Sequence, residues 1–537
     1  MTEYRLHGPP GCGKSHALAH KWIPRAAERF GAENVVVSSL TKTAAAEIAS
    51  RQLGLPEENV GTLHAIAYRS LDRPEIAETR LSEWNEHQPA FALQGGAPSL
   101  DDLDQRADRG GKADELSTLA QVYRHRMTPR SQWRPDVLAF QKKWDEWLED
   151  TGYVDFTGLI EQALEHGSAP GAPQEFVVAE AQDSSTLELA LVRRWAEEAE
   201  FAILAGDGDQ SIYAWRGASP KAFLGPEIDP NHNYHLKQSY RVPRSVHRVA
   251  SKWIEKASYR YAVEYEPRDF EGEVIISHRG SSRLVEPVLD QVYADLEAGK
   301  SVMLLATCGF SLARSISKLR EDGVLFHNPY RKHNGSWNPL RGGVERLNAF
   351  LTIDPSIHKE RARLWTWGEL RKWIDLVKSS QCLKSGAKKL LHRKDRTKAR
   401  FEVISPADAL DVFTETSWQE LRQHLIERRP VDWLKPNLLA SKKRMMSYSF
   451  AIADQHGLGA LQEDPKLVVG TIHSTKGGEC DSCYIFPDLS PSGAREAANS
   501  ATRDGVIRTF YVGMTRAREK LTLCSRWSPS SVSWGTA

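Results

Sequence analysis

Long apolar runs alternate with segments of helical periodicity along this chain. The run VVVSSL at residues 35–40 predicts a buried strand, and TKTAAAEIASR directly after it predicts a helix with Thr41 as its N-cap. The runs FVV at 176–178 and ILAG at 203–206 also predict strands, and VMLLATCGF at 302–310 predicts another. This alternation of strands and helices predicts an α/β fold.

One amphipathic segment, DVLAFQKKWDEWLED, has a single apolar face. Val137, Phe140, Trp144 and Trp147 recur at helical spacing, so the segment predicts a helix. Two tryptophans on one face suit either a hydrophobic core or contacts to nucleic acid, and the core is the preferred interpretation.

Composition limits the classes of protein that fit. A length of 537 residues predicts two to four domains, and 71 Lys and Arg against 70 Asp and Glu give no overall preference for a polyanion. Six cysteines form no disulfide framework, and Cys480 and Cys483 make one C-x-x-C pair without a second pair at zinc spacing. The N-terminus lacks a signal pattern and no run reaches the ~20 apolar residues of a membrane span, so we expect a cytoplasmic protein without membrane contact.

Positive charge is concentrated in one run, residues 381–400. It holds eight Lys or Arg residues and one Asp. Such a run is either a solvated charged face or a patch that contacts phosphates, and the sequence leaves both readings open.

Residues 8–15, GPPGCGKS, fit the pattern G-x-x-x-x-G-K-[ST] between a short strand-like segment and a helical run. Glycines at Gly8, Gly11 and Gly13 let backbone N–H groups turn inward around phosphate oxygens. Lys14 would reach the β- and γ-phosphates, and the Ser15 hydroxyl would ligate Mg²⁺. The segment therefore predicts a nucleotide-binding loop.

Further polar and aromatic motifs follow in a fixed order. A strand-to-helix junction holds Thr62 and His64, and a later segment places Tyr213 and Trp215 two residues apart, which suits base stacking. The ordered segments are NVGTLHAIAYR, FVVAEAQDSS, ILAGDGDQSIYAWRGASP, LKQSYRVP, VVGTIHSTKGGECD and FYVGMTRAREKLTL.

Together these segments resemble the ordered motifs of a superfamily 1 DNA helicase of the UvrD/Rep/PcrA type. The resemblance runs from residue 4 to about residue 525 and covers the regions between motifs by position alone. It implies two RecA-like parallel-sheet core domains of the P-loop NTPase class, each with a mainly helical insertion. ATP would bind in the cleft between the cores, with Mg²⁺ as the cofactor.

The resemblance also implies roles for individual residues. Glu180 would be the general base, Gln210 would sense the γ-phosphate, and Arg241 and Arg516 would be arginine fingers from the second core. The nucleotide site would be formed by Gly8, Gly11, Gly13, Lys14, Ser15, Tyr240, Gly478 and Glu479, with Tyr240 stacked on adenine and Glu479 at the ribose. The single-strand track would be formed by Thr41, Thr62, His64, Tyr213, Trp215 and His473.

The order of the motifs implies a domain division. The first core would comprise residues 1–70 and 152–234, with an insertion at 71–151. The second core would comprise residues 235–330 and 466–537. Its insertion, 331–465, would be mainly helical and would contact duplex or single-stranded DNA through residues 384–400.

The chain departs from the family pattern at several positions. The upstream glutamine motif that reads adenine is missing before Gly8, and Leu40 stands where relatives often have an aromatic residue. In the family pattern D-E-x-Q-D, this chain has Ala179 in place of the aspartate that ligates metal, while Glu180 is retained. Ala179 is an engineered substitution, a natural replacement compensated by a neighbour such as Asp207, or the mark of a degenerate ATPase. Since the other nucleotide residues are intact, the first two explanations are favoured.

The resemblance implies an ATP-dependent single-stranded DNA translocase and helicase with 3′→5′ polarity, acting at junctions of single- and double-stranded DNA. Ala179 predicts impaired hydrolysis. One alternative is a nucleotide-gated DNA clamp with weak ATPase activity, and another is a motor subunit that works with a separate nuclease or with a replication or repair partner. The sequence leaves the pathway open.

Overall fold

The computed structural model describes residues 2–39, 54–94, 111–331, 335–353 and 363–534. The chain forms two compact units. Unit 1 comprises Met1–Gln291, Leu305–Ser311 and Thr471–Ala537, and unit 2 comprises Val292–Leu304 and Leu312–Gly470. Both are mixtures of helices and strands, and the sheets of unit 1 are parallel, as the α/β prediction requires.

A six-stranded sheet forms the centre of the N-terminal half of unit 1. Its order is β3-β2-β4-β5-β1-β6, and every pair is parallel. Helices cover both faces of this sheet, so its central strands are continuous apolar runs. The strands are β1 (Thr2–His7), β2 (Val35–Ser39), β3 (Val60–Thr62), β4 (Glu175–Ala179), β5 (Phe201–Gly206) and β6 (Asn233–His235).

The two faces of this sheet bury different helices. On one face, alternate residues such as Val37 and Ile203 pack with Leu18 and Ile23. On the other face, residues such as Phe176 pack with the helices that follow β3 and β4. The helices of this half are Lys14–Ala17, Ile23–Phe30, Leu63–Ser70, Leu81–His87, Lys112–His125, Pro135–Thr151, Phe156–His166, Thr186–Ala196 and Pro220–Leu224.

Four tryptophans form the core of the segment between the helices Leu63–Ser70 and Phe156–His166. Trp84, Trp133, Trp144 and Trp147 are buried together with Val137 and Phe140. The helix Pro135–Thr151 contributes its predicted apolar face to this cluster, so those residues form hydrophobic core.

The C-terminal part of unit 1 contains a second set of parallel strands. β13 (Ala517–Leu523) lies between β12 (Cys480–Ile485) and β9 (Glu273–Ile276), and β7 (Gln238–Pro243) pairs with β8 (Glu266–Arg268). The helices of this part are Arg244–Ile254, Pro491–Ala498 and Arg503–Met514. The helix Glu286–Glu297 begins in unit 1.

Unit 2 is mainly helical. It carries most of β10 (Val302–Ala306) and β11 (Leu467–Thr471). Aromatic residues dominate its core, and Trp365, Trp373 and Trp433 are fully buried. Its helices are Ala313–Glu321, Leu340–Leu351, Trp367–Trp373, Ser379–Cys382, Ala387–Asp395, Pro406–Val412, Glu415–Ile426, Pro430–Asn437 and Ala440–His456. Within the described ranges, no helix of either unit combines the length and apolar character that a bilayer span requires.

Candidate active site

The loop between β1 and the helix Lys14–Ala17 has the backbone that its glycines permit. Gly11 and Gly13 have φ values of 75° and 76°, in the left-handed region that favours glycine. A Cβ on Gly8 would lie 2.6 Å from Lys14 Cγ, so the loop leaves no room for a side chain there. The Lys14 ammonium donates to the Gly8 carbonyl at 2.6 Å and closes the loop.

Strand β7 lies directly against this loop. The Tyr240 backbone N–H donates to the Gly11 carbonyl at 2.9 Å, and the Ser239 hydroxyl donates to the Pro10 carbonyl at 2.9 Å. The Tyr240 ring is not part of this contact and is 73% exposed. A large exposed ring beside Gly13 is free to stack on a planar ligand.

The end of β4 holds the residue that departs from the family pattern. Ala179 is buried and pairs in register with Ser39 of β2 and Ala205 of β5. The next residue, Glu180, has a φ of 57°, and its Oε2 accepts a 2.8 Å hydrogen bond from Gln182 Nε2. Burial raises the pKa of Glu180, but the Lys14 and Lys476 ammonium groups outweigh it, so the pKa lies below its ordinary value. Glu180 is therefore an ionised acceptor at neutral pH.

The end of β5 carries a second carboxylate next to the loop. Asp207 accepts hydrogen bonds from the Asp209 backbone N–H at 3.0 Å and from Gln210 Nε2 at 2.7 Å. Burial and the charge of Asp209 raise the pKa of Asp207 to about 6, and the nearby Lys14 opposes that rise.

Lys476 joins the acidic strand ends to the segment after β11. Its ammonium donates to Asp183 Oδ2 and, at 2.9 Å, to the Gln210 carbonyl, and it lies 3.8 Å from Glu180 Oε2. Burial and the charge of Glu180 raise the pKa of Asp183 to about 6 although Lys476 lowers it. One cation therefore lies close to two carboxylates.

The two arginines predicted as fingers differ in their surroundings. Arg516 is buried, donates to the Val512 and Gly478 carbonyls at 2.9 Å each, and lies 3.5 Å from Gln210 Oε1. Arg241 is more accessible, and its Nε donates to Glu479 Oε2 at 2.7 Å. Arg241, Arg516 and Arg518 hold the pKa of Glu479 below its usual range although burial raises it.

The residues present fit a magnesium site only in part. Mg²⁺ takes oxygen ligands, and the Ser15 hydroxyl is available, but the methyl group of Ala179 offers no oxygen. The Ser39 hydroxyl beside Ala179 is buried and has no hydrogen-bond partner among the described residues. No group of three or more His, Cys, Asp or Glu residues in the described part of the chain could hold a metal ion. The complete ligand set that the resemblance implies is therefore not present.

Aromatic residues predicted for a DNA track form one cluster. The Tyr213 ring centroid lies 5.9 Å from that of Trp215 and 5.9 Å from that of His473, and Trp215 and His473 are 6.4 Å apart. The His473 Nε2 is 3.1 Å from the Ile212 carbonyl, which fixes the imidazole against the same segment.

The other predicted track residues are placed differently. The Thr62 hydroxyl accepts from the Ala65 N–H and caps the helix Leu63–Ser70. His64 is half-buried, and its Nδ1 lies 3.8 Å from Glu188 Oε1. Desolvation lowers its pKa to about 4, so its imidazole is neutral at physiological pH. Thr41 lies outside the described residues.

Three charged side chains at the site were not singled out from the sequence. Lys476 stands within the segment STKGGE, but nothing in that segment shows that it reaches Asp183. Arg518 Nη1 donates to Glu479 Oε1 at 3.2 Å, and Arg260 donates to Asp209 Oδ2 at 2.6 Å. These are contacts between residues distant in sequence, for which the sequence carries no local signal.

Comparison with known proteins gives a consistent result. Residues 4–230 match the model of the UvrD/REP helicase N-terminal domain. The chain is 24% identical to DNA helicase II of Escherichia coli over 96% of this chain and 81% of that protein. It is 26% identical to the ATP-dependent DNA helicase PcrA of Leuconostoc citreum over 51% of this chain. It is 36% identical over 180 residues to PcrA of Staphylococcus aureus.

The extent of these matches is unequal. The matched regions span 40% of the Leuconostoc citreum protein and 48% of DNA helicase II from Salmonella typhimurium. In these two comparisons, the matched regions thus cover less than half the length of the relative.

Proposed function

We propose, from its similarity to the UvrD/REP helicase N-terminal domain and to DNA helicase II, that the chain is a superfamily 1 helicase of the UvrD/Rep/PcrA type. In this proposal it is an ATP-dependent single-stranded DNA translocase and helicase with 3′→5′ polarity. The observation that carries the proposal is one cluster of contacts in unit 1. It joins the phosphate-loop residue Lys14, the strand-end residue Glu180 and the arginine Arg516 through Gln210 and Lys476.

In the proposed mechanism, the loop N–H groups and Lys14 bind the phosphates of ATP. Glu180 is ionised and lies at the end of β4, where it would orient the attacking water and accept its proton. Arg241 and Arg516 would stabilise the negative charge that develops on the transferred phosphoryl group. The exposed Tyr240 ring would stack on the base.

Magnesium would support hydrolysis by neutralising phosphate charge, as in related NTPases. Ser15 is the residue that we propose as a ligand. Because Ala179 removes the second ligand, we propose that turnover is impaired in the chain as it stands. Asp207 lies near Lys14 and is the nearest candidate for compensation, although its carboxylate is engaged by Gln210.

On the DNA side, the cluster of Tyr213, Trp215 and His473 supports sequence-tolerant stacking of bases. The cluster lies close to Lys476 and Gln210, because the Tyr213 ring is 5.4 Å from the Lys476 ammonium. In this proposal, the Lys476 side chain lies between the base-binding cluster and the nucleotide site. We propose that this contact couples the two, with junctions of single- and double-stranded DNA as the substrate.

We also propose the domain division given by the motifs: two RecA-like cores with insertions at 71–151 and 331–465. A cytoplasmic location fits this function. A separate nuclease or a replication or repair protein would be a partner.

A second candidate function rests on Ala179 alone. A nucleotide-gated DNA clamp would bind ATP and DNA but hydrolyse ATP poorly, because the metal site lacks a carboxylate. The two functions differ in turnover and not in binding.

The experiment that tests the proposal is Mg²⁺-dependent ATPase activity, with and without single-stranded DNA, for this chain and for Ala179→Asp. We expect DNA-stimulated turnover in the Ala179→Asp variant, at least about tenfold above the unmodified chain, which corresponds to ~1.4 kcal/mol in the barrier. DNA affinity that responds to ATP without turnover in either protein would favour the clamp. Absence of both ATP and DNA binding would contradict both functions.

A further inference from the structure

A basic cleft of about 650 Å³ lies on the surface of unit 2. It is formed by the helix Ala387–Asp395 and by the end of the helix Trp367–Trp373, and Asp375 is its single acidic residue. The lining residues are Arg371, Asp375, Lys388, Lys389, His392, Arg393, Arg396 and Thr397. The cleft thus contains four of the eight Lys and Arg residues that the sequence concentrates in the run 381–400.

Its cations fall into two groups. Arg371 and Lys388 both pair with Asp375, so this carboxylate and its two partners neutralise part of the local charge. Lys389, Arg393 and Arg396 are exposed and form no ion pair with any residue of the described ranges. Three solvated cations held close together without counter-charges form a site for a polyanion.

The spacing of these three cations suits a nucleic-acid backbone. Residues at i, i+4 and i+7 lie on one face of a helix, and Ala387 and Leu391 on the opposite face are buried. The three side chains span about 10 Å along the helix, at 1.5 Å per residue. That distance matches successive phosphates of one strand rather than one isolated anion.

A largely exposed aromatic ring follows the cleft residues in the chain. Thr397 lines the cleft and caps the short 3₁₀ helix Lys398–Phe401, since its hydroxyl accepts from the Ala399 N–H. Phe401 ends this helix, about 8 Å further along at 2 Å per residue, and its side chain is 80% exposed. An exposed ring beside exposed cations is the combination that binds unpaired bases.

We propose that this cleft is a second binding site for single-stranded DNA, outside the motifs of the helicase core. Lys389, Arg393 and Arg396 contact phosphates, and Phe401 stacks on a base. The inference rests on the proposed function, because it assumes that the chain binds single-stranded DNA. Duplex DNA would also meet the cations, but paired bases are not available to the Phe401 ring.

The test compares the unmodified chain with two matched triple variants. The cleft variant carries Lys389→Gln, Arg393→Gln and Arg396→Gln. The control carries Lys442→Gln, Lys443→Gln and Arg444→Gln, which removes the same charges from the helix Ala440–His456 of the same unit. Binding of oligo-dT of about 40 nucleotides, long enough for more than one contact region, is measured against salt concentration.

In the cleft variant, we expect the slope of log K against log salt to fall in magnitude by about 2, because each phosphate contact in single strands contributes ~0.7. In the control variant, the magnitude of the slope should fall by less than half of that amount. Phe401→Ala should weaken oligo-dT binding by about fivefold or more, and Phe401→Trp should restore it. A charge-retaining variant, Lys389→Arg with Arg393→Lys and Arg396→Lys, separates loss of charge from misfolding and should keep the wild-type slope.

Three outcomes would overturn the inference. Equal slopes in the cleft and control variants would show that the three cations do not contact the DNA. A loss of blunt-duplex affinity equal to the loss for oligo-dT would identify duplex DNA as the occupant. If the wild-type chain binds no oligo-dT at all, both the proposed function and the inference are wrong. If the wild-type chain binds oligo-dT and the cleft variant binds it equally well, only the inference is wrong.

Discussion

Arg241 Nε donates a 2.7 Å hydrogen bond to Glu479 Oε2. Arg241, which we propose contacts the γ-phosphate, is thus bound to Glu479, which we propose contacts the ribose. Arg518 shares the same carboxylate from the other side at 3.2 Å, so Glu479 keeps one cationic partner when Arg241 moves to the phosphate. Two arginines therefore contact one carboxylate, but only one of them is expected to be catalytic.

This difference predicts unequal effects of removing the two arginines. Arg241→Ala should lower kcat for ATP by about 10³-fold, because an arginine finger stabilises charge in the transition state. Arg518→Ala should change kcat by less than about fivefold, as expected for an exposed ion pair. Steady-state ATPase assays with saturating single-stranded DNA, in the Ala179→Asp background, measure both.

Arg241→Lys supplies the control for charge. Lysine cannot present the planar fork of a guanidinium, so we expect it to restore little activity. Equal losses in Arg241→Ala and Arg518→Ala would show that both act on Glu479 and that neither is a finger.

The contact between β7 and the phosphate loop predicts a specific effect at Gly11. A Cβ on Gly11 would lie 2.5 Å from Arg241 Cβ and 2.7 Å from Ser239 Oγ. Gly11→Ala should therefore displace β7 and weaken ATP binding by about tenfold or more. Isothermal titration with a non-hydrolysable ATP analogue measures the loss.

Gly54→Ala is the matched control. Gly54 has a φ of 70°, close to the 75° of Gly11, but a Cβ there meets no atom of the described residues within 4 Å. Both substitutions carry the backbone cost of a left-handed alanine, ~1–2 kcal/mol, and only Gly11→Ala adds the clash. Comparable ATP binding in the two variants would mean that β7 does not need to stay in contact with the loop.

The sequence predicts local features of this fold better than distant contacts. The loop GPPGCGKS, the strand VVVSS and the apolar face of the helix Pro135–Thr151 follow from short patterns, because glycine conformation and residue periodicity are local properties. The pairing of Lys476 with Asp183 joins residues 293 positions apart, and the Arg260–Asp209 pair joins segments 51 positions apart. Which charges meet depends on how segments pack, and no spacing in the sequence encodes that.

The cleft in unit 2 illustrates the same limit. The run of Lys and Arg at 381–400 is visible in the sequence, but the sequence does not divide it into paired and unpaired cations. Part of that division follows from Asp375, which lies outside the run and pairs with Lys388.

The aromatic cluster predicts a loss of DNA affinity when its tryptophan is removed. Trp215→Ala should weaken binding of single-stranded DNA by about tenfold or more, because base stacking contributes ~1–3 kcal/mol per base. Trp215→Phe should retain most of the affinity. Fluorescence anisotropy with labelled oligo-dT measures both.

Trp527→Ala controls for the loss of an exposed tryptophan from the same unit. Trp527 is 60% exposed, and its backbone N–H bonds to Asp488 and is unaffected by the substitution. We expect unchanged affinity in this variant. If both tryptophan variants lose the same affinity, the cluster of Tyr213, Trp215 and His473 is not the track.

A buried carboxyl group predicts how stability depends on pH. Burial and the charge of Asp155 hold the pKa of Glu78 well above its usual range, and Glu78 accepts a hydrogen bond from the Phe156 N–H at 3.0 Å. Above about pH 4.3 the unfolded state has released the Glu78 proton, whereas the folded state still binds it. The free energy of unfolding therefore decreases as the pH rises from about 4.3 toward the pKa of Glu78 in the folded state. The decrease is up to ~1.4 kcal/mol per pH unit.

Glu78→Gln removes this titration and keeps an oxygen acceptor for the Phe156 N–H. Between pH 5.5 and 7.5, hydrogen exchange in the helix Phe156–His166 of the wild type should accelerate with pH more steeply than the intrinsic exchange rate does. In Glu78→Gln this additional acceleration should be smaller. Glu86→Gln, at an exposed position of the neighbouring helix Leu81–His87, should behave as the wild type. Identical pH dependence in all three proteins would mean that Glu78 is ionised in the folded state and that its charge is balanced by the nearby Arg124.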